Sequence, residues 1–279
     1  MTLRFELLKM RRSRRPWVAV LCLALFLFLM LVGFYTYAQT KTGGQAEFRY
    51  TYENRSYFNG LTFALYSFYF GFLLLLPTFA VTEGGVQLAG EVSQGTLPLL
   101  LARPRSRGLL FAHKALVAFV FAGGLTVLLL GVALLIGLIA VGWGDLNLYP
   151  GVLQMTDRPQ HLAQSDALAR FLLVAPAAWL ALSAPLALSL LLSAWVRQPV
   201  NAVGASVALY LVLYVVSEIH FFERLRPFLF TTSMAYWRGL FREEIDWPAL
   251  GRDLAKVLSF TAAFLALAWH RFCRQAAAT

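Results

Sequence analysis

The chain has 279 residues, of which 59% are hydrophobic and only 14% charged, with a formal net charge of +10. A soluble chain of this length has too little interior to hide that much apolar surface, and a disordered chain has the opposite composition. So few charges also exclude a broad basic surface for nucleic acid, which leaves a membrane as the solvent.

Residues 1–15 place Arg4, Lys9, Arg11, Arg12, Arg14 and Arg15 around Leu3, Leu7, Leu8 and Met10. The i, i+4, i+7 spacing of Leu3, Leu7 and Met10 predicts an interfacial helix, apolar side in lipid and basic side on anionic headgroups. A helix needs about 20 apolar residues to cross a bilayer. Six stretches supply spans: 17–37, 61–81, 115–141, 171–194, 200–217, and 257–269 with the turns before it. The first is too long for a signal peptide core and lacks a good cleavage site, so it is read as a retained span. The last is the weakest, because Arg252, Asp253 and Lys256 lie on its leading turns. Asp246 is the expected N-cap there, with Pro248 in the first turn. The expected fold is an all-α integral membrane domain of six transmembrane helices filling residues 1–279.

Six spans put both termini on one side. The segments on that side hold thirteen Lys and Arg but three acidic residues, Glu6, Glu83 and Glu91, whereas the opposite segments hold eleven of each sign. The whole excess therefore sits on one face, densest beside span one, and the positive-inside rule makes that face cytoplasmic. No Asp, Glu, Lys, Arg or His falls in the middle of a span. Proton and ion relays need such groups at membrane depth, so any transport would draw its energy from outside this chain.

The connection 83–114 is long for a cytoplasmic turn. Glu83-Gly84-Gly85 is expected to break span two, Val86, Leu88 and Val92 suit a short surface helix, and Gly95 ends it. Leu97, Leu99, Leu100 and Leu101 then form an apolar knob before the basic turn Arg103-Pro104-Arg105-Ser106-Arg107. An apolar knob flanked by charge suits protein docking. The loop 218–253 is rich in Phe, Tyr and Trp and is read as an interfacial belt, with Pro227 opening a short helix at or dipping into the outer interface. The other outer connections, 38–60 and 142–170, are too short for a folded domain.

The pattern Glu91-x-x-x-Gly95-Thr96-Leu97, a leucine cluster, Pro104-x-Ser106-Arg107 and Lys114 resembles the exporter-type permeases of ATP-binding-cassette (ABC) transporters. It departs from them at Ser93, Gln94 and His113. The resemblance implies a cytoplasmic coupling helix between spans two and three and a place in the inner membrane of a prokaryote. It also implies two copies of a separate ATPase, which holds the ATP and Mg, and a second permease, identical or similar. No cofactor or metal is expected in this chain. Glu91, Gly95, Thr96, Leu97, Pro104, Arg105 and Arg107 are the expected coupling residues: Gly95 permits the turn, the leucines fill a groove on the ATPase, and the arginines pair with its acidic rim.

The chain has no phosphate-binding loop of the G-x-x-x-x-G-K-[ST] kind, so it is not expected to be an enzyme by itself. Two other readings stand beside the permease. One is a non-transporting membrane scaffold for an ATPase. The other is a rhomboid-like intramembrane serine protease using Ser206 and His270, whose surrounding small residues equally suit helix packing.

Overall fold

The computed structural model describes residues 3–41, 51–52, 55–56, 59–95, 107–148, 153, 155 and 159–275. Its helices are α1 (Leu3–Arg12), α2 (Arg14–Lys41), α3 (Gly60–Ser93), α4 (Arg107–Val141), α5 (Gln164–Trp195), α6 (Pro199–Glu218) and α7 (Trp247–Gln275). Among the described residues, five helices, α2 to α6, are long and apolar enough to cross a membrane. Helix α7 takes the place of the sixth expected span. It has 29 residues, but Arg252, Asp253 and Lys256 at one end and His270 and Arg271 at the other shorten its apolar stretch. Asp246 caps it as the sequence indicates, accepting from the Ala249 amide at 2.9 Å.

Each helix faces the core according to its side chains. Helix α2 buries Ala19, Leu23 and Leu27, a stripe at i, i+4 and i+8, and exposes Trp17, Leu21, Leu25 and Phe28 on its other sides. That is the pattern of a peripheral span whose outer faces meet lipid. Helices α3 and α5 form the centre, with Leu61, Ala64, Phe68, Leu76, Leu186 and Leu190 almost wholly buried.

Helix α3 corrects the expectation that Gly84-Gly85 breaks span two, because the helix runs through both glycines to Ser93. The two glycines are a close crossing point instead. A Cβ on Gly84 would collide with Ser189 of α5, and one on Gly85 would press on Val203 of α6. The Ser193 hydroxyl uses the approach, donating to the Gly85 carbonyl at 2.7 Å and accepting from the Ala89 amide at 2.9 Å. Small residues at helix crossings and hydroxyl bonds between helices are the usual cohesion of membrane bundles. The helix ends only at Gly95, whose φ of +66° lies in the left-handed region that favours glycine.

At 34 residues, α3 is about 51 Å long, well beyond the ~30 Å of a hydrocarbon core. Helix α4, at 35 residues, has a similar excess. Counted from Gly60, the bilayer length is used up near Ala80, so Glu83–Ser93 forms three turns that continue beyond it. The first turns of α4, Arg107 to Lys114, run alongside them. Val86, Leu88 and Val92, expected on a separate surface helix, lie in these turns instead.

The opposite end is closed by backbone-directed contacts. Asn59 caps α3 by accepting from the Thr62 amide at 2.8 Å and donates to the Asp145 carbonyl at 2.5 Å. Leu146–Leu148 and Gln160–Leu162 pair as a short antiparallel ladder above it. The aromatic loop after α6 splits in two. Phe221, Phe228 and Trp247 are exposed, as an interfacial belt requires, but Phe230–Ser233 and Met234–Phe241 dip into the bundle. There Trp237, fully buried, stands edge-on to Phe68 and Phe72 at 5.1 and 5.3 Å. The Tyr236 hydroxyl donates to the Ala177 carbonyl at 2.7 Å, and Arg170 donates to the carbonyls of Leu240, Arg242 and Glu243.

Candidate functional site

The antiparallel extensions of α3 and α4 bring Glu91 and Lys114 together although 23 residues separate them in sequence. Lys114 Nζ lies 2.8 Å from Glu91 Oε1 and 3.6 Å from Glu6 Oε1 of α1. Lys9, one α1 turn on from Glu6, reaches the same Glu91 oxygen at 2.5 Å. One helical turn back along α3 from Gln87, Glu83 Oε2 is 3.4 Å from Arg15 at the start of α2, and Gln87 donates to its other oxygen at 2.6 Å. The six charges balance, three of each sign, around a cavity of about 200 Å³.

Burial gives this network its character. The Lys114 side chain is 2% exposed and the Glu91 side chain 5%, whereas Lys9 remains 45% exposed. Taking a Lys and a Glu out of water is costly, and their attraction offsets the cost only while both are present. The Lys114–Glu91 pair is therefore an obligate contact, and Lys9 and Arg15 form its wet rim. Mechanically, the network straps the amphipathic helix α1 to the protruding ends of α3 and α4. A displacement of either end is passed to α1.

Of the expected coupling residues, Glu91, Gly95 and Arg107 are among the described residues. Glu91 points inward, into the ion pairs, rather than outward. Gly95 follows it as the left-handed turn that ends α3, and Arg107 is the exposed first residue of α4. Thr96, Leu97, Pro104 and Arg105 lie outside the described residues. Gly95 and Arg107 thus bracket the connection in which those four stand, at the tips of the two protruding helices. Sequence reasoning missed Glu6, Lys9, Arg15, Glu83 and Gln87 as parts of the site and gave Lys114 no partner. One signal was present: a strongly basic face with three acidic residues, all of which prove to be in the network.

Ser206 is buried and donates to the Ala202 carbonyl of its own helix at 2.7 Å, while His270 is exposed. No hydrogen bond joins them among the described residues. The hydroxyl is satisfied as a helix-packing serine is, and nothing in its geometry activates it as a nucleophile.

The family model for ABC-2 family transporter proteins matches residues 2–229, from α1 through α6 into the loop that follows. No curated protein matches the chain.

Proposed function

Given that the chain belongs to the ABC-2 family of transporters, we propose that it is the membrane permease subunit of an ABC exporter. Two such permeases, identical or similar, would assemble with two copies of a separate ATPase. The ATPase holds the nucleotide and Mg. The end carrying α1 is the cytoplasmic end in this reading, and the basic excess of the sequence supports that placement.

The observation that carries the proposal is the joint protrusion of α3 and α4, locked together by the buried Glu91–Lys114 pair. Two long helices joined at their tips by a short leucine-rich connection make a stiff lever. Closure of the ATPases would press on 96–106, and the lever would tilt the spans as rigid bodies. Leu97 and its neighbours fill a groove on the ATPase, while Arg105 and Arg107 meet its acidic rim. Glu91 acts from inside, by holding the lever together.

The test is co-purification. Leu97→Asp places a charge in the apolar contact, and Gly95→Pro removes the positive φ on which the turn depends. Both variants are expected to reach the membrane and to lose the ATPase. An ATPase that remains bound to both refutes the docking assignment. ATP-dependent uptake into inverted vesicles then separates exporter from scaffold, since a scaffold binds the ATPase and moves nothing.

A further inference from the structure

A cavity of about 340 Å³ lies at the end of the bundle opposite α1, between α3, α6 and the loop after α6. Its α3 wall is a wide turn, Gly71–Leu75, closed by the Leu76 amide bonding to the Gly71 carbonyl, and it presents Phe72 and Leu73. Wide turns of this kind recur at functional sites. From the loop, Arg226 and Arg238 both line the cavity.

The two guanidinium groups are short of acceptors. Arg226 makes one hydrogen bond, to the Glu218 carbonyl at 3.1 Å, and its Nε is buried without a partner. Arg238 rests on the Tyr69 ring, 4.7 Å from its centroid, and its Nε is likewise buried and unpartnered. Among the described residues neither forms an ion pair with a carboxylate. The buried cation Lys114, by contrast, is matched by two carboxylates. Native structures rarely leave such donors empty, and two guanidinium groups beside one cavity suit an anion with several oxygens. Glu218 and His220 also line the cavity, so with His220 neutral its net charge is +1.

The surroundings are apolar and exposed, as a lipid-facing surface is. Leu74, Leu211 and Val215 follow the lining residues Leu73, Tyr210 and Tyr214, and they are 55%, 36% and 50% exposed. Successive helix residues are turned about 100° from one another, so this exposed apolar surface borders the cavity. An anion carrying acyl chains would have its headgroup on the arginines and its chains along α3 and α6.

We propose that this cavity binds the phosphate headgroup of an anionic membrane lipid, held by Arg226 and Arg238. The site stands independently of the transport reading and is tested by binding alone. The purified full chain in neutral detergent is titrated with a short-chain phosphatidylglycerol, with the phosphatidylcholine of equal chain length, and with inorganic phosphate. Phosphatidylglycerol is expected to bind most tightly. Arg226→Gln and Arg238→Gln should each weaken it by about tenfold or more, the loss of one charge-assisted contact. Binding of phosphatidylcholine should barely change. Glu218→Gln, which leaves both arginines in place, should tighten phosphatidylglycerol binding, and it carries the test if either arginine variant misfolds. Unchanged affinity in the folded variants overturns the proposal. Displacement of phosphatidylglycerol by inorganic phosphate at similar concentration also overturns it, since the site would then serve a free anion.

Discussion

The two ends of the bundle are held by different chemistry. At the end carrying α1, helices are tied by side-chain charges, Lys114 and Lys9 on Glu91 and Arg15 on Glu83. At the far end, side chains bond mostly to backbone: Arg170 to three carbonyls, Tyr236 to Ala177, Asn59 to Asp145. Backbone acceptors are fixed by the helices and loops that own them. Side-chain charges can exchange partners, and half-exposed ones such as Lys9 can do so at little cost. In the proposed lever, the half-exposed Lys9 and Arg15 can therefore shift around a fixed Glu91–Lys114 core, while the far end stays closed as a hinge would.

Substitutions at both ends sharpen this contrast. Lys114→Met should have the largest effect, because it leaves Glu91 and Glu6 buried with Lys9 alone in reach. A loss of about 3 kcal/mol or more is expected in detergent unfolding. Adding Glu91→Leu should recover part of it, and no recovery would mean that Lys114 acts through packing alone. At the far end, Arg170→Met should cost about 2 kcal/mol, through the carbonyls it abandons. Asp246→Ala should cost about 1 kcal/mol, the usual value of an N-cap, with no change in ATPase binding. Lys9→Met should cost only a few tenths of a kcal/mol, since its ammonium is half in water. A Lys9 effect as large as that of Lys114 would erase the distinction between core and rim of the network.

The spans were legible because apolar runs of bilayer length have few alternatives, and the Asp246 cap because capping is local chemistry. Gly84-Gly85 was misread for the complementary reason. Glycine lowers helix propensity locally, but here α5 and α6 need the missing Cβ atoms for their approach, and tertiary packing prevailed. The aromatic loop showed its composition but not its division, since Trp237 and Phe221 differ only in whether the chain turns inward beneath them. Within the site, Gly95 was readable from the turn it makes. Glu91 was singled out as a coupling residue, but its inward direction depends on the antiparallel register of α3 and α4. Spacing along one helix cannot reveal a partner 23 residues away on another.

Distance measurement in the complex with the ATPase tests the lever and hinge most directly. In a chain with Cys22 and Cys273 replaced by alanine, one spin-label pair is placed at Arg12→Cys and Gln198→Cys. A second pair is placed at Ser165→Cys and Phe221→Cys, at the far end. ATP trapped on the complex should shift the first pair's distance distribution by several ångströms and leave the second unchanged. Movement of the far pair while the first stays still would contradict the account.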